Sequence, residues 1–321
     1  MLLTTTVGSF PKPSYLVKAR NDFAAGKLSE EELSRLEKRA TEECIRLQER
    51  IGIDILVHGE MERGDMVTYF AERMEGFGIS GLVRSYGNRY YRKPVVKGEV
   101  KRKGPITVET FKYAQSLTKK PVKGMLTGPY TMCDWSFDEY YPIRRELVLA
   151  LAKEIHQEAV DLERAGARYI QMDEPAISTR PDEVDLAIEA MEIVTQGIKA
   201  KTVSHICYGD FQVIYPRILD LAVDQLDLEF ANSDFANLGI FKYPKFTKEI
   251  AVGVLDVHSH IIETKDRVKE NIRKALRVFP IEKVYIDPDC GLKTRTPEEA
   301  EAKLKVMVAA VEEIKEEMRI E

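Results

Sequence analysis

Short apolar runs that favour β-strands alternate along this chain with segments of helical periodicity, and this alternation limits the available folds most strongly. The strand candidates are Leu2–Val7, Ile53–His58, Val122–Thr127, Tyr169–Met172, Lys201–Ile206, Gln225–Phe230, Ile250–Leu255 and Lys283–Ile286. From residue 169 onward the strands start 24–33 residues apart. This spacing is typical of a strand followed by a helix, a unit that builds parallel sheets.

A closed barrel and a doubly wound open sheet both contain such units. The open sheet usually has a glycine-rich turn, G-x-G-x-x-G, after its first strand. Here the first strand leads into Val7-Gly8-Ser9-Phe10-Pro11, which lacks that motif. A barrel of about 250 residues with insertions also fits the length of this chain. We therefore predict a (β/α)8 barrel of the TIM type that occupies residues 1–321 as a single domain.

An insertion of about 60 residues, 61–120, separates the second and third predicted strands. Within it, Gly87-Asn88 predicts the turn of a β-hairpin. From Gly81 to Lys123 there are 12 Lys or Arg and two Asp or Glu, in a chain whose net charge is -5. The insertion is either a solvated ribbon or a surface that receives an anionic substrate tail or an acidic partner protein.

Charge and hydropathy exclude several classes of protein. The net charge of -5 argues against a general nucleic-acid binder. No apolar run approaches the roughly 18 residues that a membrane span needs, and the first residues lack the basic start of a signal peptide. We therefore expect a cytoplasmic protein. Four cysteines are too few for a disulfide framework, and Cys44 belongs to the apolar stripe of a predicted helix.

Polar side chains follow the predicted strands, where catalytic residues of a TIM-type barrel lie. They are Ser9, Glu60, Asp173, Glu174, His205, Cys207, Glu229, His258, Asp289 and Cys290. His205 and Cys207 are two residues apart in an extended segment, so their side chains share one face. Glu229 ends the sixth strand and Cys290 follows the eighth, and both strands lie close to the fifth in a closed barrel.

Together these four side chains supply one nitrogen, two sulfurs and one carboxylate. This donor set suits a tetrahedral Zn2+. Two thiolates and a carboxylate leave the site with a net charge of about -1, which favours activation of a bound thiol as thiolate.

The other strand ends allow two interpretations each. Glu60 and Asp173 could recognise a substrate ammonium group, although the Asp173-Glu174 pair could also charge a helix N-terminus. His258 could donate a proton or be structural. Trp135, the only tryptophan, could stack on a flat ligand or pack in the core. We interpret His58 as a core histidine.

Five ordered motifs resemble those of one enzyme family over nearly the whole chain. They are Thr4-Thr5-Thr6-Val7-Gly8-Ser9-Phe10-Pro11, Leu56-Val57-His58-Gly59-Glu60, Val122-Lys123-Gly124-Met125-Leu126-Thr127-Gly128-Pro129, Gln171-Met172-Asp173-Glu174-Pro175-Ala176 and Asp287-Pro288-Asp289-Cys290-Gly291-Leu292-Lys293-Thr294-Arg295. The chain resembles the C-terminal catalytic barrel of cobalamin-independent methionine synthase.

The resemblance implies a zinc-dependent methyltransferase that converts L-homocysteine to L-methionine, with roles for particular residues. The implied zinc ligands are His205, Cys207, Glu229 and Cys290. The implied contacts to the amino-acid part of homocysteine or methionine are Val7, Gly8, Ser9, Glu60 and Asp173. Arg89 and Trp135 match positions that contact methyltetrahydrofolate, and His258 matches the proton donor.

Two departures from the family pattern bear on the methyl donor. The full-length enzyme has a second, degenerate barrel that helps to hold the folate polyglutamate tail, and 321 residues leave no room for it. A glutamate that contacts the pterin appears here as Thr179. We therefore expect a methylated corrinoid protein or methylcobalamin as donor, with the corrinoid protein docked on the basic insertion. The same reaction with methyltetrahydrofolate is the alternative.

Two further functions stay open on the sequence. One is another zinc thiol alkyltransferase that acts on a thiol such as coenzyme M, although Glu60 and Asp173 argue against a thiol without an ammonium group. The other is a regulator, not an enzyme, that binds zinc or an amino acid through a closed structural site.

Overall fold

The computed structural model describes residues 2–84 and 90–319. The helices are α1 (Ser14–Ala24), α2 (Glu30–Ile51), α3 (Met66–Ala71), α4 (Val108–Ser116), α5 (Pro129–Asp134), α6 (Arg144–Arg164), α7 (Val184–Thr195), α8 (Lys265–Leu276) and α9 (Pro297–Met318). The strands are β1 (Leu3–Thr4), β2 (Met74–Arg84), β3 (Tyr90–Arg102), β4 (Lys123–Thr127), β5 (Phe137–Asp138), β6 (Tyr169–Asp173), β7 (Lys201–Ile206), β8 (Gln225–Leu228), β9 (Glu249–Gly253) and β10 (Val284–Asp287). None of the helices in these ranges has the length and apolar character that a bilayer crossing requires.

The chain divides into two compact units. The first comprises Met1–Glu62, Thr110–Lys123 and Leu226–Glu321, and the second comprises Arg63–Glu109 and Gly124–Gln225. Each unit alternates strands with helices, so the predicted α/β class is confirmed. The prediction of one domain over residues 1–321 stays a prediction.

Parallel strands form the centre of the first unit. Their order is β1, β10, β9, β8, and both β1–β10 and β10–β9 run parallel. The predicted second strand is present as isolated parallel bridges, because Ile55 pairs with Thr5 and Leu56 pairs with Val122. It is therefore too short to count as a strand, although it occupies the place the sequence predicts.

Strands in the order β7, β6, β4 form the parallel part of the second unit. The β6–β7 register aligns Asp173 with His205 at the end of both strands. Helix α6 packs an apolar face inside this unit, and its inward residues from Leu147 to Leu162 are almost fully buried. Burial of apolar surface stabilises the fold by about 25 cal/mol per Å².

The second unit also contains an antiparallel pair, β2 and β3, which we call the basic ribbon. It lies where the sequence predicts a hairpin, while the predicted turn at Gly87-Asn88 falls outside the described residues. Strand β3 also pairs with β5, with Val95 opposite Phe137. The Lys93 ammonium lies 4.3 Å from the centre of the Phe137 ring. The ribbon is thus connected to the segment that follows Trp135.

Local sequence signals set the helix ends. The Ser29 hydroxyl accepts a hydrogen bond from the backbone N–H of Glu32 at the start of α2, and Thr296 and Glu299 form a capping box at the start of α9. Such caps satisfy backbone N–H groups that have no partner within the helix. The loop between β10 and α9, which carries Cys290, therefore ends at a defined position.

Candidate active site

The first unit holds four of the five predicted amino-acid contacts, Val7, Gly8, Ser9 and Glu60, in buried positions. Ser9 pairs with Gly59 in a parallel bridge, and its carbonyl accepts a hydrogen bond of 2.7 Å from the N–H of Leu292. Glu60 has a φ of 56°, which is costly for a residue with a side chain and is often found at functional sites. The backbone around Ser9 and Glu60 is therefore held in one defined conformation.

Two residues without a predicted role, Gln48 and Lys123, support this segment. Gln48 is fully buried in α2, and its amide donates to the carbonyl of Val57 at 2.7 Å and accepts from the N–H of Val57 at 3.0 Å. The same amide oxygen accepts from the Thr6 hydroxyl. The buried ammonium of Lys123 donates to the carbonyl of Thr6 at 3.0 Å. The sequence contained a signal for Gln48, because this polar residue lies one helical turn after Cys44 on the apolar stripe of α2.

Glu229 and His258 also lie together in the first unit. The Nε2 atom of His258 is 4.0 Å from Oε2 of Glu229. The interaction with Glu229 is the largest cause that raises the pKa of His258, and the charge of Cys290 adds to it. The backbone N–H of His258 donates to the Asp256 carboxylate at 2.8 Å. The histidine is therefore oriented and biased toward its protonated form.

Asp289 lies between β10 and Cys290, and its carboxylate is buried. It accepts hydrogen bonds from the backbone N–H groups of Phe230, Ala231 and Asn232 at 2.9, 2.9 and 2.7 Å. Burial nevertheless raises the pKa of Asp289 to about 7, against the opposing effect of these three N–H groups. Asp289 follows a predicted strand, and the sequence alone indicates no role for it.

The second unit carries Asp173, His205 and Cys207, all of them buried. The side-chain amide of Gln171 donates to the Asp173 carboxylate at 2.7 Å and so orients it. The carbonyl of Cys207 accepts a hydrogen bond of 3.0 Å from the Ser178 hydroxyl. Because His205 and Cys207 alternate with Ile206 at the end of β7, the extended backbone gives them a common face.

Glu174 is a second buried carboxylate at a strand end. It accepts hydrogen bonds from the N–H groups of Tyr130 and Thr131 and from the Thr131 hydroxyl, at 3.0, 2.7 and 2.7 Å. Burial raises its pKa to about 7. These bonds fix the start of α5, and the half-buried Trp135 directly follows the end of this helix. Glu174 therefore positions the helix that precedes the only tryptophan.

Two residues bear on the methyl-donor prediction, and the structure assigns neither of them a donor contact. Arg89 lies outside the described residues. Thr179 is exposed, and its hydroxyl donates to the carbonyl of Ala176 at 2.9 Å.

Within the described residues, His205 and Cys207 of the second unit and Cys290 of the first unit are candidate metal ligands. Their donor atoms are one imidazole nitrogen and two sulfurs, which are ligands that Zn2+ prefers. Within the described residues, none of the four cysteines forms a disulfide. The chemistry of the donors therefore fits zinc.

Comparison with known proteins gives consistent matches over the whole chain. The family model described as Cobalamin-independent synthase, Catalytic domain, matches residues 2–313. A protein of Saccharolobus solfataricus named methionine synthase is 40% identical over 320 residues, which cover 99% of this chain and 96% of that protein. A 5-methyltetrahydropteroyltriglutamate–homocysteine methyltransferase of Mycolicibacterium paratuberculosis is 42% identical, over 98% of this chain and 43% of that longer protein.

A solved structure agrees with these relatives. The B12-independent methionine synthase of Shewanella sp. W3-18-1, in complex with selenomethionine, superposes with a TM-score of 0.91 and 31% identity over 99% of both chains. The family model and this structure are both described as independent of cobalamin, so the expected corrinoid donor, and with it a corrinoid protein on the basic ribbon, is wrong. The chain belongs to the cobalamin-independent methionine synthase family and is a methyltransferase of the methionine synthase type.

Proposed function

We propose that this protein transfers a methyl group from methyltetrahydrofolate to the thiol of L-homocysteine, which gives L-methionine. The observation that carries the proposal is the match to the S. solfataricus methionine synthase over nearly the full length of both proteins. The name of the M. paratuberculosis relative supports the donor, because it specifies a methylated folate with three glutamates. The alternation of strands and helices supports a (β/α)8 barrel as the framework.

The amino-acid part of the substrate binds Val7, Gly8, Ser9, Glu60 and Asp173 in this proposal. The two carboxylates attract the substrate ammonium group, and the backbone of residues 7–9 supplies polar groups for its carboxylate. The defined backbone at Ser9 and Glu60 supports this role, as does the hydrogen bond that orients Asp173. A site held in advance of binding loses less entropy when the substrate arrives.

We assign zinc binding to His205, Cys207, Glu229 and Cys290. The donors are one nitrogen, two sulfurs and one carboxylate oxygen, a set that zinc accepts. Bound zinc lowers the pKa of a coordinated thiol, so that the homocysteine sulfur is ionised near neutral pH. The protein contributes the position of that sulfur relative to the methyl carbon, and positioning is a large part of the rate.

His258 supplies the proton that the departing folate nitrogen needs. Its pKa is raised, chiefly by Glu229, so the ring retains a proton to higher pH than a free histidine. Proton transfer by a positioned group typically contributes about 10²- to 10⁴-fold.

The pterin stacks on Trp135 and contacts Arg89 in this proposal. The basic ribbon receives the glutamate carboxylates of the donor. Support comes from the link between the ribbon and the segment after Trp135, through the pairing of Val95 with Phe137 and the position of Lys93 over the Phe137 ring. The exposed cations Arg92 and Lys97 lie on the same strand.

The test is a methyl-transfer assay with purified, zinc-loaded protein, homocysteine and methyltetrahydrofolate carrying one or three glutamates. Methionine formation from methylfolate supports the proposal. Failure to form methionine from either folate, while the protein is folded and holds zinc, would reject it.

A further inference from the structure

We propose that Asp289 is a positioning residue for the zinc site, and that it acts by fixing Glu229 relative to Cys290. Asp289 and Cys290 share a peptide bond, and the carboxylate of Asp289 binds the backbone that directly follows Glu229. The inference rests on the proposed zinc ligands and goes beyond them, because Asp289 itself is not a ligand.

The connection to Glu229 is short and specific. The N–H of Phe230 belongs to the peptide unit that starts at the carbonyl of Glu229, and it donates to Oδ1 of Asp289 at 2.9 Å. The next two N–H groups, of Ala231 and Asn232, donate to the two oxygens of the same carboxylate. Three consecutive N–H groups on one carboxylate fix the orientation of each peptide plane, and therefore the direction in which the Glu229 side chain leaves the backbone.

The surroundings of Asp289 prevent it from moving. Its side chain is fully buried, and its own N–H donates to the carbonyl of Leu255 at 3.0 Å. A Cβ atom on Gly253 would lie 2.3 Å from Oδ1 and 2.7 Å from the Cα of Asp289. Glycine at position 253 therefore allows the carboxylate to approach the neighbouring strand.

Burying a carboxylate is costly unless hydrogen bonds compensate it. Residues that orient metal ligands are a common use of such groups, and their substitution typically weakens metal binding by about 10- to 100-fold. An amide cannot replace Asp289, since its NH2 group would face one of the three N–H donors. We therefore expect Asp289→Asn to weaken zinc binding by about 10- to 100-fold.

The experiment measures zinc affinity by competition with a chelator in four proteins: wild type, Asp289→Asn, Glu229→Ala and the double variant. If Asp289 acts through Glu229, the double variant binds zinc as weakly as Glu229→Ala alone. A general structural role predicts instead that the two losses add.

The matched control is Asp54→Asn, in the same unit. The Asp54 carboxylate accepts hydrogen bonds from the N–H and hydroxyl of Thr4, at the end of β1. This change should lower thermal stability and leave zinc affinity unchanged. If Asp289→Asn does not fold, Gly253→Ala takes its place, because the added Cβ displaces the same carboxylate.

The outcomes separate this inference from the proposed function. Zinc affinity of Asp289→Asn equal to that of wild type overturns the inference, and so do additive losses in the double variant. A wild-type protein that binds no zinc rejects the proposed zinc site and the inference with it. The remaining outcome is that Asp289→Asn binds zinc more weakly than wild type and yet causes no further loss when Glu229→Ala is already present. This result supports both the proposed zinc site and the inference.

Discussion

The Nε2 atom of His258 lies 4.0 Å from Oε2 of Glu229, so a proposed proton donor and a proposed zinc ligand lie side by side. This proximity is the main reason why the pKa of His258 is raised. Because the proton is favoured in the folded protein, the donating form of His258 persists to higher pH than in a free histidine.

The first prediction concerns His258→Asn. The variant should lose about 10²- to 10⁴-fold in kcat with methyltetrahydrofolate, which is the usual contribution of a general acid. In wild type the rate should fall as the pH rises through the raised pKa of His258, and the variant should lack this decline. A pH profile of kcat from pH 6 to 9 measures both effects. An unchanged profile would contradict the role as proton donor.

The second prediction concerns the cysteines. Cys290→Ser and Cys207→Ser should each reduce the zinc content of the purified protein, because a hydroxyl is a poor zinc ligand compared with a thiolate. Cys133→Ser is the matched control, since Cys133 is buried and its thiol pKa is raised to about 12. Metal analysis should find zinc in the control as in wild type. Equal loss of zinc in all three variants would reject the assignment.

The third prediction concerns recognition of the substrate amino group. Glu60→Gln and Asp173→Asn should each raise the KM for homocysteine about tenfold or more, because hydrogen bonds to charged groups contribute about 1.5–3 kcal/mol. A thiol acid of the same length without an amino group serves as the control substrate. Its KM should be similar in wild type and variants. Equal effects on both substrates would show that these carboxylates do not bind the ammonium group.

The fourth prediction concerns the pH dependence of stability through Glu174. Burial raises its pKa from 4.5 to about 7, so between these values the folded chain retains a proton that the unfolded chain releases. The free energy of unfolding therefore falls as the pH rises from about 4.5 to 7, by up to about 3 kcal/mol from this group.

Glu174→Gln cannot titrate and should lack that part of the slope. Denaturant unfolding of both proteins at pH 5, 6 and 7 measures the difference. The stability of the variant relative to wild type should increase with pH. Parallel curves would mean that Glu174 has an ordinary pKa.

The fifth prediction concerns the basic ribbon. The double variant Arg92→Gln, Lys97→Gln should lower kcat/KM for triglutamyl methylfolate by about three- to tenfold. Each of these side chains would form an exposed ion pair with a glutamate carboxylate of the donor, and such a pair contributes up to about 1 kcal/mol. The monoglutamyl donor should be affected less, because it carries fewer carboxylates. Lys119→Gln, an exposed lysine of the first unit, is the control. An equal loss with both donors would contradict a role in binding the tail.

Strand positions were predictable because apolar runs bounded by polar residues reflect burial directly. The observed β7 has the predicted bounds, and β4, β6 and β9 begin within one residue of them. The second strand was predicted at the right place, but its pairing is limited to bridges at Ile55, Leu56 and Gly59. The number of paired residues depends on the neighbouring strands, which a local pattern does not contain.

Side chains that act through a distant backbone were not predictable. The sequence placed His205, Cys207 and Cys290 among the metal donors because cysteine and histidine have few other uses at a strand end. Asp289 received no role, since its partners are backbone N–H groups 57–59 positions away. Gln48 was missed for the same reason. The prediction of the methyl donor was wrong because it was inferred from chain length and from one residue, Thr179.

The two buried carboxylates, Glu174 and Asp289, are each next in sequence to a residue that we assign to ligand binding, Asp173 and Cys290. In both pairs one carboxylate binds backbone N–H groups of another segment, the start of α5 for Glu174 and residues 230–232 for Asp289, and the adjacent residue is assigned to the substrate or the metal. Ligand binding and positioning of the backbone are thus assigned to separate, adjacent residues. A substitution of the ligand-binding residue can therefore change specificity while the neighbouring carboxylate still holds the backbone in place.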